Sequence, residues 1–138
     1  MKAVFVDTSA WWAFFVARDQ WHPPAHRAMV GLLEEKVALV TTNEVLGELV
    51  TGLSGRAGHP SAIRAGNRIL DDPRVLTIMI DPGTWRDGWR LFQRQTRSRV
   101  SLTDCTSAAV MRERRIKRIF TFDEDFRSMG FEVVPTRF

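Results

Sequence analysis

Four acidic residues end apolar runs or open helices in four separate parts of the chain: Asp7, Glu48, Asp104 and Asp123. Each has an ordinary local explanation, since a carboxylate at a helix start caps it or complements its dipole. Their coincidence is less ordinary. If the strand ends lie on one edge of a parallel sheet, all four converge on one crevice, where like charges repel strongly. Some must then take up protons, or a cation must sit among them. A donor set made of oxygen alone selects hard ions, Mg²⁺ or Mn²⁺. Such ions, singly or as a pair, polarise a phosphodiester and activate a water for in-line attack. No serine, cysteine or histidine stands beside a partner base, so the metal would carry the chemistry.

The elements that must position these acids follow a repeated βα pattern. Ala3-Val-Phe-Val6 has no polar alternation, as expected of a strand buried on both faces, and Thr8 or Ser9 can cap the helix that runs to about Arg18. Val37–Val40 is a second buried strand, and Asn43 or Thr42 caps a helix carrying Glu44 in its first turn and Glu48 one turn later. Glu44 is explained by the helix dipole. Glu48 sits among Leu46, Leu49 and Val50 and lacks a local reason. Thr103 can cap the helix that opens with Asp104, and Ile119–Phe122 is a strand ending at Asp123. A short helix to Gly130 and a strand at Glu132–Val134 close the chain.

Between these segments, Trp21-His22-Pro23-Pro24 breaks the first helix, and a second resumes from Ala25 to about Glu35. His22 and His26 read as exposed rather than as a metal pair, for want of further ligands. Gly52 to Gly58 reads as a loop, and Pro60-Ser61 opens a helix to about Asp71. Val75–Ile80 is a strand, with Asp81 a turn residue. From Thr84 to about Thr96 an amphipathic helix carries Trp85, Trp89 and Phe92 at core or subunit-interface spacing. Arg86, Arg90, Arg94, Arg97 and Arg99 form the most concentrated basic stretch, a track for a phosphate backbone. Cys105 reads as a packed small hydrophobe.

Composition narrows the class. A chain of 138 residues with 44% hydrophobic residues forms one domain, 1–138, with a real core. It has no apolar run long enough to span a membrane and no leader, and its one cysteine fits a reduced, cytoplasmic setting. Of 20 basic residues only Lys2, Lys36 and Lys117 are lysines, and the net charge is +4. Arginine's planar fork suits phosphate, so the partner expected is a nucleic acid rather than a membrane.

Val-Phe-Val-Asp7-Thr-Ser, Thr-Asn-Glu-Val-Leu-Gly-Glu48-Leu, Leu-Thr-Asp104-Cys and Phe-Thr-Phe-Asp123-Glu-Asp-Phe resemble, in order, the four acidic motifs of the PIN domain. The nearest likeness is to the VapC-type ribonuclease toxins of toxin–antitoxin pairs. That resemblance implies a three-layer α/β/α sandwich around a mostly parallel sheet of about five strands. It also implies Mg²⁺- or Mn²⁺-dependent endoribonuclease activity, an RNA substrate, a homodimer and a cognate antitoxin. By matching position, Asp7, Glu48, Asp104 and Asp123 would be the metal-binding and catalytic carboxylates, with Thr8, Ser9 and Thr121 supporting them. Glu44 competes with Glu48, and Asp125 assists or replaces Asp123. The antitoxin would present a cation to the acids, with Trp11, Trp12 and Phe15 nearby. Rival readings fare worse. A haloacid dehalogenase-type phosphatase needs an aspartate where Ser9 stands, and a receiver domain needs paired acids before its acceptor. A catalytically silent PIN module that binds RNA or protein is the alternative of a different class.

Overall fold

Five short apolar runs become strands, and their order places their ends. In the computed structural model, which describes residues 2–97 and 99–137, these are β1 (Ala3–Val6), β2 (Ala38–Thr42), β3 (Val75–Ile78), β4 (Arg118–Phe120) and β5 (Glu132–Val134). They form one parallel sheet in the order β3-β2-β1-β4-β5. The missing alternation in β1 follows from its central place, where Val4, Phe5 and Val6 have no exposed surface.

The order of strand addition reverses at β1. From β1 the chain steps outward to β2 and β3, then returns to lay β4 on the other side of β1 and β5 beyond it. The crevice between the carboxyl ends of β1 and β4 is therefore the switch point, where open α/β sheets bind ligands. Asp7 and Asp123 follow these two strands, paired at Val6 and Phe120.

Seven helices among the described residues complete the α/β/α arrangement: α1 (Thr8–Phe15), α2 (His22–Glu34), α3 (Asn43–Ala57), α4 (His59–Asp71), α5 (Pro82–Gln93), α6 (Leu102–Glu113) and α7 (Asp125–Ser128). α3 packs on α4 and α5 on α6. Among the described residues no helix is long and apolar enough to cross a membrane.

Several boundaries differ from the sequence expectation. Pro23 and Pro24 begin α2 rather than delaying it, because a first-turn proline gives up no helical hydrogen bond. His22 Nδ1 is bonded to the Ala13 carbonyl at 2.8 Å, while His26 is exposed and stacked on Phe14. The expected loop from Gly52 to Gly58 is instead the last part of α3, which continues to Ala57 with Leu53 buried. Glycine serves packing there: a Cβ on Gly52 would lie 3.0 Å from the Trp12 ring. β3 ends at Ile78, and Asp81 caps α5 by accepting from the Thr84 amide. At Gly88 a Cβ would fall 2.6 Å from Thr106 Cγ2, so α5 can approach α6 this closely only with glycine. Cys105 is buried, and burial pushes its thiol up to about 11.

Candidate active site

At the switch point lies an open cleft of about 450 Å³, lined by Asp7, Thr8, Ser9, Trp12, Asp19, Trp21, Glu48, Arg99, Ser101, Asp104 and Asp123. All four acids selected from the sequence line it.

Asp7 is 4% exposed and occupies the N-cap position of α1, yet its side chain makes no capping hydrogen bond. Neither Thr8 nor Ser9 is the cap. Instead Thr121 Oγ1 donates to Asp7 Oδ2 at 2.8 Å and Ser9 Oγ donates to the same oxygen at 3.1 Å. These hydroxyls lie 3.0 Å apart, and each also accepts an amide beyond β4, Phe122 N on Ser9 and Asp123 N on Thr121. One small network thus joins the end of β1 to the end of β4. Burial pushes the Asp7 carboxyl up to about 6, with the charge of Asp123 adding to it and the two hydroxyls opposing it.

Asp104 stands in the first turn of α6, in a capping box with Ser101 rather than after a Thr103 cap. Ser101 N donates to Asp104 Oδ2 at 2.9 Å, and Asp104 N donates to Ser101 Oγ at 3.0 Å. Asp104 is pushed up to about 7, first by burial and then by the charges of Asp7 and Asp123. Asp123 is shifted upward as well, chiefly by burial, and its Oδ1 accepts the Asp125 amide at 2.9 Å.

Glu48 lies on the exposed face of α3, not among apolar neighbours as its sequence context suggested. Glu44 is turned to α6, where Thr106 Oγ1 donates to its Oε1 at 2.7 Å. Asp125 adjoins Asp123, whose carboxyl it helps to push upward, but its own charge is taken up by arginines. Although 2% exposed, it takes Arg99 Nε at 2.8 Å on Oδ2, with Arg99 Nη2 and Arg97 Nη1 both at 3.0 Å on Oδ1. Hydrogen bonds from Arg99 and Arg97 hold its carboxyl below the usual range. Two arginines of the expected phosphate track are therefore anchored to one buried acid.

The donor set suits a hard divalent ion. It is all oxygen, and burial pushes Asp7 and Asp104 toward protonation, with the charge of Asp123 adding at both and that of Asp7 at Asp104. Thr8 Oγ1 is buried in the cleft wall and has no hydrogen-bond partner among the described residues. Among the described residues, however, no group of three or more His, Cys, Asp or Glu side chains stands ready-made around one point.

The PIN domain family model matches residues 4–132. The chain belongs to the PIN-domain family. It is 37% identical over 134 residues to the 23S rRNA-specific endonuclease VapC20 from two strains of Mycobacterium tuberculosis, covering 96% of this chain and 98% of that one. The crystal structure of Mycobacterium tuberculosis VapC20, described as a sarcin–ricin loop cleaving toxin, superposes with a TM-score of 0.82 at 35% identity over 93% of this chain and 95% of that one.

Within this PIN domain, sequence reading missed Ser101, the Arg97–Asp125–Arg99 cluster and Trp21, whereas Trp12 lies by the acids as expected. Ser101 had a signal, because serine three residues before an acid is capping-box spacing. Trp12 and Trp21 line the cleft, Trp21 stacked on Phe122 at 5.7 Å. Trp11 is core, with its Nε1 donating to Thr41 Oγ1, and Phe15 is half-buried beneath Arg68.

Proposed function

We propose that this chain cleaves ribosomal RNA, using a divalent ion, Mg²⁺ or Mn²⁺, held by Asp7, Glu48, Asp104 and Asp123. The broader reading, an endoribonuclease toxin of a toxin–antitoxin pair, rests on PIN-family membership and on 37% identity to a 23S rRNA-specific endonuclease over nearly the whole chain. The single observation that carries the finer reading is that Asp7, Glu48, Asp104 and Asp123 line one cleft, where burial raises Asp7 and Asp104 and neighbouring carboxylates add to the rise.

Each residue has a task. Thr121 and Ser9 fix Asp7 through Oδ2. Ser101 fixes Asp104 through Oδ2, and the Asp125 amide fixes Asp123 through Oδ1. Glu48 contributes a carboxylate from α3. When bound, the ion withdraws charge from the phosphodiester and eases deprotonation of the attacking water. The antitoxin covers the cleft and presents a cation to it, which the anionic lining favours. Trp85, Trp89 and Phe92 form a partly exposed stacked ladder on α5, a surface suited to a second copy of the chain.

The test is incubation of purified, antitoxin-free protein with total ribosomal RNA and with a synthetic sarcin–ricin hairpin, in Mn²⁺, Mg²⁺ or EDTA, alongside Asp7→Asn. Metal-dependent fragments that vanish with the substitution are expected. Folded protein that cuts neither RNA under any condition would leave the silent binding module as the better reading.

A further inference from the structure

Arg99 is out of keeping with its surroundings. It lines the cleft that holds four carboxylates, yet its guanidinium is bonded to none of those four. Instead Asp125 receives both Nε and Nη2 of Arg99, while Arg97 donates to the same acid. The anchor is buried, at 2% exposure, but the Arg99 side chain is 73% exposed and that of Arg97 50%. The pairs compensate the buried acid, but they leave both guanidiniums largely in solvent, where they remain open to a second anion.

The charge count gives the arrangement a use. One carboxylate faces two guanidiniums, so the cluster retains a net positive charge at the lip of an anionic cleft. Arginine carries five donors, and Nη1 of Arg99 meets no acceptor among the described residues. The side chain is already immobilised, so engaging an oxyanion through Nη1 costs it little further rotamer freedom. Polyanionic RNA entering this cleft meets Asp7, Asp104 and Asp123 as repulsive groups, and needs a cation that those acids cannot capture. Asp125 keeps Arg99 from collapsing onto them.

We propose that Arg99, steered by the positioning residue Asp125, binds a backbone phosphate of the RNA that lies across the carboxylates. The inference rests on the ribonuclease reading but concerns binding, which can be measured without cleavage. Asp125 thereby acts through Arg99 and Arg97, not on the reacting atoms.

The probe is a fluorescein-labelled mixed-sequence 20-nucleotide RNA in EDTA, with anisotropy titrations from 50 to 200 mM salt. Arg99→Gln should weaken binding about tenfold. It should also flatten the slope of log affinity against log salt by about 0.7, the value for one lost phosphate contact on a single strand. Arg99→Lys should keep the slope, because the charge remains, while losing a few-fold in affinity because an ammonium cannot grip Asp125 and phosphate together. Asp125→Asn should weaken binding with the slope retained. An Arg99→Gln slope equal to wild type, whatever happens to its melting temperature, overturns the proposal and leaves the cluster a loop staple. Should Arg99→Gln not fold, wild-type affinity in Arg99→Lys overturns it instead. Failure of the nuclease reading looks different: RNA bound with the expected slopes but never cut when Mn²⁺ is restored.

Discussion

Asp7 and Asp125 are nearly equal in burial, at 4% and 2%, and follow neighbouring strand ends, yet their environments are opposite. Asp7 receives only neutral donors, the Thr121 and Ser9 hydroxyls and the Thr8 backbone, and is pushed up to about 6, while Asp125 receives two guanidiniums and is held low. The protein thus supplies full charge compensation to one buried acid and withholds it from another a few residues' breadth away. A fold could have paired both. An acid left uncompensated, and kept in place by Thr121 and Ser9, is arranged for a cation that comes from outside.

The strongest way to break this contrast is to remove each charge. Asp7→Asn should lower RNA cleavage by about a thousandfold, since several kcal/mol of transition-state stabilisation goes with the metal site. Its melting temperature in EDTA at pH 8 should stay level or rise, because asparagine still accepts from Thr121 without a buried charge. Asp125→Asn should do the reverse to stability, losing about 1.5–3 kcal/mol with its charged hydrogen bonds. Chemical denaturation of both variants checks the pair, and a destabilised Asp7→Asn would show that Asp7 is compensated after all.

Acidity sharpens the same comparison. Asp7 and Asp104, at about 6 and about 7 in the folded protein, bind protons there more tightly than in the unfolded chain. Their protonation therefore stabilises the metal-free fold fully below about pH 4, and that contribution is lost as pH rises through 6 to 7. For Asp7 alone the change is on the order of 3 kcal/mol. Asp125 has the opposite sign, its contribution being present above pH 3.8 and lost only as pH falls through its lowered value. Thermal melts in EDTA should thus show greater stability at pH 5 than at pH 8, and saturating Mg²⁺ should flatten that slope by binding the ionised form. A stability that rises with pH across this window would contradict the uncompensated cleft.

Legibility in the sequence followed the range of each interaction. β1 ending in Asp7 was readable because a strand buried on both faces leaves no polar alternation, and a carboxylate directly after it stands out. The α/β class and the cleft position of the acids followed from that repeat. The Asp125 cluster was not readable, since Arg97 and Arg99 lie 28 and 26 residues before their partner and no local pattern links them. Gly52 was misread for a related reason: propensity marks glycine as a breaker, but packing against Trp12 decides the matter.

The smallest effect separates two glutamates one helical turn apart. Glu48 lines the cleft with its carboxylate exposed, whereas Glu44 is taken by the Thr106 hydroxyl of α6, the residue against which Gly88 is packed. Glu48→Gln should therefore slow cleavage about ten- to a hundredfold with no change in melting, as expected where one ligand of a set becomes neutral. Glu44→Ala should leave cleavage within about threefold and reduce stability by about 1 kcal/mol, the net worth of one hydrogen bond. Even that loss is softened, because Thr106 Oγ1 can turn its single proton to the Thr103 carbonyl, 3.1 Å away. If Glu44→Ala silenced cleavage while Glu48→Gln did not, the Thr106 bond would be a resting contact that breaks when the ion arrives, and Glu44 rather than Glu48 would be the ligand from α3.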